Sequence, residues 1–275
     1  MPKGPNVPAR ECQQVAVFSS VCVVLSNAID ASNPTARNHV HVLSVDVLTL
    51  FPDWFGWLRE ERHVANALAG GLQLGIHDMR IHSPLPHHAV DDTPYGGGAG
   101  MVVRVDTTVA AVEGIYGRSL DDVRGARRII ALDARGRCFD DAYARELADA
   151  GAITLLCGRY EGFDQRVLDH VATEILSLGP YVLAGGEVAA MVVVDAVTRH
   201  LDGALGGETS AQEESFSPAL DGLPEYPHYT RPLEFRGWAV PEVLRSGDHG
   251  RISAWRRAQS ERLGGEPAGS KTDLG

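Results

Sequence analysis

Apolar positions recur along this chain in two rhythms. From Val42 to Phe51, VLSVDVLTLF alternates apolar with small or polar residues and is rich in β-branched side chains, which predicts a buried first strand. Pro52 ends it and suits the first position of a helix. HVANALAGG (63–71) predicts a short helix stopped by glycine, and LQLGIHDM (72–79) a second strand. Residues 83–100 carry prolines, paired histidines, paired aspartates and PYGGGAG, and predict a loop. The rhythm then resumes. RRIIALD (127–133), AITLLC (152–157) and TEILSL (173–178) predict strands. They alternate with predicted helices at 139–151, at 163–172 (Phe163, Val167 and Val171 on one face) and at 186–201, the last almost wholly apolar. Strand alternating with helix implies an α/β fold with a parallel sheet.

After Leu201 the pattern stops. DGALGGETSAQEESFSPALDGLPEYPHYTRP is built of turn formers and polar residues. One further helix is predicted from about Arg251 to Arg262, capped by Asp248. Ile252 and Trp255 form its apolar face, and Arg251, Arg256, Arg257 and Arg262 its basic one. The expected organisation is an extension at 1–42, a main domain at 43–201, a flexible linker at 202–219, a small helical domain at 220–263 and a disordered tail at 264–275.

Composition narrows the classes. The 275 residues are 44% hydrophobic and 22% charged, an ordinary globular balance. Cys12, Cys22, Cys138 and Cys157 form no CxxC pair, which argues against a disulfide framework or zinc site and for a reducing, cytoplasmic setting. The net charge of −11, from 36 acids against 25 bases, lacks the bulk signature of a nucleic-acid binder, so RNA contact would need a local basic patch. No apolar run reaches the ~18 residues of a membrane helix. VAVFSSVCVVL (15–25), behind Lys3 and Arg10 and ahead of Ser26-Asn27-Ala28, has the outline of a signal peptide. The alternative is an upstream extension or a mis-set start, because methionine is absent between Met1 and Met79 and a valine start near Val40 or Val42 fits the pattern.

CGRYEG (157–162) and GPYVLAGGE (179–187) both follow predicted strands, where ligands collect in open α/β sheets. Neither is a dinucleotide fingerprint, GAGMVV from Gly98 lies in a long loop, and no GK[ST] is present. Glycine loops also let a flat base lie against backbone; the alternative is a pair of tight turns. His87-His88 with Asp91-Asp92 fits no standard zinc spacing and reads as solvated surface.

LTLFP, VDDTPYGGGAGM, CGRYEGFDQRV, LGPYVLAGGE, PHYTRP and SGDH-xx-I-xx-W, in this order from about Leu43 to Gln259, resemble the bacterial tRNA (guanine-37-N1)-methyltransferases of the SPOUT class. The resemblance implies a trefoil knot holding S-adenosyl-L-methionine (SAM) and an obligate homodimer whose active sites draw on both chains. It further implies dependence on Mg2+, with no ligand to name, and a tRNA substrate with guanosine at 36 and 37. Carried over by motif, the cofactor wall is Leu132, Asp133 and Ala134; Gly158, Tyr160 and Glu161; and Ser177, Leu178, Gly179, Tyr181, Leu183, Gly185 and Gly186. Asp91, Asp92, Tyr95, Gly96, Gly98 and Met101 match the nucleotide platform. His228, Tyr229, Thr230 and Arg231 are expected to position the anticodon loop or close the site, and the C-terminal arginines, Arg256 among them, to meet phosphate.

Methylation at N1 of guanine needs a base for the N1 proton and a donor for charge building on O6. The resemblance assigns the donor to Arg199 and the base to the linker position held by Glu214, with Glu213 in reserve. Two departures stand out. Glu214 replaces the family's aspartate, and Pro180 replaces an acid while losing a backbone N–H. They leave two alternatives open: a SAM-binding RNA protein with weakened catalysis, or a SPOUT methyltransferase acting on another base.

Overall fold

A computed structural model describes residues 42–206 and 214–265. The expectations for the N-terminal extension, for Glu213 and for most of the tail lie outside the described residues. The first strand, β1 (Ser44–Thr49), leads through two short 3-10 turns, Pro52–Phe55 and Trp57–Glu60, into α1 (Arg62–Ala69) and β2 (Gln73–Asp78). Pro52 does open the first of these turns. Within the expected loop β3 (Asp91–Asp92) pairs antiparallel with β4 (Val102–Val103), just past its end.

Residues 105–126, for which the hydrophobic pattern gave no element, form two helices, α2 (Val105–Tyr116) and α3 (Leu120–Ala126). Their punctuation is plain in retrospect: Gly117 ends α2 with φ 60°, and the Ser119 side chain accepts from Asp122 N to cap α3. Then come β5 (Arg128–Cys138), α4 (Asp141–Ala148), β6 (Ala152–Cys157), β7 (Glu174–Ser177) and α5 (Gly186–Thr198). Strand β5 runs five residues past the expected end at Asp133. The helix expected at 163–172 is instead a single π-type turn at Val167–Val171. Its apolar face is nonetheless buried: Phe163, Val167 and Val171 all lie in the core.

The five long strands form one parallel sheet in the order β2-β1-β6-β5-β7. Successive strand residues feed opposite faces. Val45, Val47, Ile130 and Leu132 join α1, α4 and α5 in one core, while Leu48, Ile129 and Ala131 join α2, α3 and the π turn in the other. Helices on both faces are what an all-parallel sheet requires.

Beyond Leu201 the described chain makes a 3-10 turn at Pro218–Leu220, a small hairpin β8 (Glu234–Phe235) with β9 (Trp238–Ala239), a 3-10 turn at Glu242–Arg245 and α6 (His249–Gly265). Asp248 caps α6, its carboxylate accepting from Arg251 N at 3.1 Å, and the helix runs two residues into the expected tail.

Candidate active site

Three loops leave the carboxyl ends of the adjacent strands β6, β5 and β7 and enclose one cavity of about 1480 Å³. This exceeds the roughly 300–1,000 Å³ of a small-molecule pocket and leaves room for a nucleotide beside a cofactor. The first wall is Leu132, Asp133, Ala134 and Arg135, at and beyond the bend in β5. The second is the loop after β6, with Gly158, Tyr160, Glu161 and Phe163. The third is the loop after β7 into α5: Ser177, Leu178, Gly179, Tyr181, Leu183, Gly185 and Gly186. Every residue assigned to the cofactor wall from sequence lines this one space.

Backbone contacts set the loops against each other. Gly186 N donates to Gly158 O at 2.8 Å. A Cβ at Gly186 would fall 2.7 Å from Cys157 Cα, so only glycine lets the third loop lie on the second. Tyr181 N donates to Gly179 O at 2.9 Å, a tight turn that spans Pro180 without needing its missing N–H. On the far side, Glu161 N donates to Met101 O at 3.0 Å and Val103 N to Gly162 O at 2.9 Å, bringing the β3–β4 loop over the cavity. Asp92, Tyr95 and Gly96 from that loop line it; Tyr95 stands wholly exposed at the rim. Asp91, Gly98 and Met101 do not line it, and Met101 acts through its carbonyl.

The electrostatics are paired rather than open. The Arg135 side chain bonds both Asp133 oxygens, at 2.8 and 2.9 Å, and holds that carboxyl below the usual carboxylate range against the effect of burial. Arg166 does the same for Asp164 at 2.9 and 2.7 Å. Arg104 bridges Asp92 at 3.0 Å and Asp106 at 2.7 Å, and lowers the Asp106 pKa. Both Asp133 and Asp164 are therefore anionic at neutral pH. Burial, and then the nearby Glu187 carboxylate, push the Cys157 thiol well up, so it is no nucleophile. Arg104, Arg135, Arg159 and Arg166 line the cavity without having been singled out from sequence, and Phe163, expected only on a helix face, lines it too; Arg159, Phe163 and Arg166 lie inside the CGRYEGFDQRV stretch.

Arg199 and Glu214 come together elsewhere. Arg199 Nη2 donates to both Glu214 oxygens at 2.7 Å, and neither residue lines the cavity. Gly186 starts α5 at the cavity and Arg199 caps its far end, about 20 Å along the axis at 1.5 Å per residue. His228, Tyr229, Arg231 and Arg256 also lie away from the cavity lining. His228 meets Glu225 at 2.8 Å, the Tyr229 and Trp255 ring centroids are 6.4 Å apart, and the Arg256 guanidinium sits 4.5 Å from the Tyr226 ring centroid. Arg257 pairs with Asp221 and Glu261, and Arg262 donates to Gln259. The expected basic face of α6 is thus largely engaged within the chain.

Among the described residues no group of three or more His, Cys, Asp or Glu side chains is placed to hold a metal ion. His87, His88, Asp91 and Asp92 do not form such a group, and no step below runs through magnesium. Among the described residues no helix is long and apolar enough to cross a membrane.

The family model described as tRNA (Guanine-1)-methyltransferase TrmD matches residues 43–266. Relatives named tRNA (guanine-N(1)-)-methyltransferase include one from Dehalococcoides mccartyi, 48% identical over 80% of this chain and 86% of its own. One from Rhodospirillum rubrum is 48% identical over 79% of this chain and 87% of its own. One from Brevibacillus brevis is 44% identical over 80% and 87%.

Proposed function

The chain belongs to the tRNA (guanine-1)-methyltransferase TrmD family, and we propose that it methylates N1 of guanosine 37 in tRNAs carrying guanosine at 36 and 37. The observation that carries this reading is the convergence of the three strand-end loops, rich in glycine and so poor in side chains where they touch, on one cavity. S-adenosyl-L-methionine fits that cavity: the apolar Leu132, Leu178 and Leu183 suit the adenine ring, and the loop backbones its polar edge. When bound it supplies an electrophilic methyl group on sulfur. The β5 crossing supports a trefoil knot around it. β5 contacts β7 in two registers, and a Cβ at Gly136 would lie 2.5 Å from Leu176 N.

The protein's own part is proton transfer and charge stabilisation. Glu214 takes the N1 proton, so that the N1 lone pair is free to attack, and Arg199 donates to O6 as negative charge builds there. Reaching the base requires the pair to separate or share the guanine edge. A methyl donor and a base about 20 Å apart cannot meet within one chain, which supports a homodimer in which each cavity faces the partner's linker. Exposed apolar residues suit that contact: Val188 and Val192 share one face of α5, and Trp54, Trp57 and Val182 are exposed as well. Arg231 and Arg251 are suited to tRNA phosphate, and a tRNA substrate places the enzyme in the cytoplasm.

The test is incubation with methyl-labelled SAM and transcripts bearing guanosine at 36 and 37, followed by mapping of the modified base. Label at N1 of 37 is the expected result. Cofactor binding without transfer would favour a weakened catalyst, the reading prompted by Glu214 and Pro180, and label elsewhere another target base.

A further inference from the structure

We propose that Arg159 and Glu187 form a positioning pair that sets the distance between the two glycine loops and thereby the affinity for cofactor; this rests on reading the cavity as the SAM site. Glu187 lies in the first turn of α5 and is wholly buried. A helix N-terminus favours an acid there, yet a buried carboxylate is costly unless it is paired. Its partners come from two other segments. Thr49, at the end of β1, donates its hydroxyl to Glu187 Oε1 at 2.9 Å. Arg159 Nε, from the loop after β6, lies 2.8 Å from Oε2, an ionic approach rather than a well-directed hydrogen bond.

The guanidinium is fixed on its other sides too. Its Cζ stands 4.3 Å from the Phe51 ring centroid and 4.7 Å from that of Trp54. Nη1 donates to Ala184 O, in the third loop, at 3.4 Å, while Nη2 is buried with no hydrogen-bond partner among the described residues. One side chain from the second loop thus grips the third loop, α5 and the segment after β1.

The link to the cavity is local. Arg159 bridges Gly185 in antiparallel fashion, and a Cβ on Gly185 would fall 2.4 Å from Arg159 Nε and 2.6 Å from Glu187 Oε2. The ion pair occupies the space that a side chain would need. Tyr160, next along and lining the cavity, is held at φ 59°, a left-handed conformation that is strained for a non-glycine residue. Loosening the pair lets Tyr160 relax and the loops separate. Glu187 does not line the cavity, so it acts through Arg159.

The experiment titrates SAM calorimetrically into full-length wild type, Glu187→Gln, Arg159→Lys and Thr49→Val, and measures kcat at saturating cofactor and thermal midpoints. The expected result for Glu187→Gln is a Kd at least about tenfold higher, a size known for residues that act on a ligand without touching it, with kcat at saturation largely kept. Arg159→Lys, which keeps the charge, should lose less. Thr49→Val, missing one hydroxyl, should shift Kd in the same direction and decides the matter if Glu187→Gln does not fold. A lowered midpoint with unchanged Kd would make the pair purely structural and overturn the proposal; so would a fall in kcat with Kd unchanged. Wild type that binds no SAM would instead overturn the cavity reading beneath it.

Discussion

Arg199 Nη2 lies 2.7 Å from both carboxylate oxygens of Glu214, joining the end of α5 to the connector that follows it. This bidentate contact holds the candidate base and the candidate O6 donor together, away from the cavity that would hold the methyl donor.

Replacing Glu214 by Gln should lower the single-turnover rate of methyl transfer by about 10²–10⁴-fold, the usual worth of a general base. Cofactor affinity should stay as in wild type, because Glu214 is no part of the cavity wall. Rapid-quench transfer assays beside calorimetric titration measure both. An unchanged rate would exclude Glu214 as the base.

A shared site predicts complementation. Glu214→Gln chains and chains blocked at the cavity by Gly186→Val should each be inactive alone. Mixed and allowed to exchange, they should recover about a quarter of wild-type activity, since half of random dimers are mixed and each has one intact site of two. No recovery in verified mixed dimers would place the whole site in one chain.

Gly136 probes the β5 crossing. Gly136→Ala puts a Cβ 2.5 Å from backbone that cannot step aside, and should cost about 1–3 kcal/mol of stability, the usual price of overpacking. Urea unfolding of the two proteins gives the difference; equal midpoints would mean that the strands do not cross this closely.

Asp46 predicts an acid limb. It is partly buried at the other end of the sheet, bonded to His77 at 2.7 Å, Arg127 at 2.6 Å and Tyr116 at 3.0 Å. Burial alone would raise its pKa; the His77 hydrogen bond and the Arg127 charge outweigh it, so the folded value lies below the unfolded one. Its contribution is therefore complete above the unfolded pKa of about 3.9 and is lost as pH falls through the folded value. Denaturant midpoints of wild type and Asp46→Asn should differ at pH 7 and converge below about pH 4. A difference that holds constant down to pH 2 would refute the assignment.

For tRNA contact, Arg251 is the sharpest probe on α6, because among the described residues its guanidinium has no ion pair or hydrogen bond, while Arg257 and Arg262 have theirs. Arg251→Ala should weaken binding alike across tRNA sequences and reduce the salt slope by about one. An unaltered slope would remove it from the interface.

The strands and the glycine loops were legible in the chain because both depend on local rules. Alternation in VLSVDVLTLF and AITLLC marks strands that must feed buried faces, and loops after parallel strands must gather at one end of the sheet. Helices α2 and α3 escaped because VDTTVAAVEGIY (Val105–Tyr116) scatters small, polar and apolar residues with little helical contrast, and their caps were the clear signal. The π turn at Val167–Val171 kept its apolar face but not its length, since Gly162 and Asp164 make backbone bonds to Val103, bridging it to Phe163, instead of helical ones.

By itself the sequence determined the α/β class, the family and the residues that line the cavity, since periodicity and motif order reside in the chain. Only the tertiary structure decided which charges are spoken for. Arg159 reads from sequence as one more motif arginine, yet it lies buried against Glu187, a residue 28 positions away; Arg199 and Glu214 read as active-site neighbours, yet they sit about 20 Å down a helix from the cavity. Pairing and distance depend on where separated segments meet in space, and a linear pattern does not carry that information.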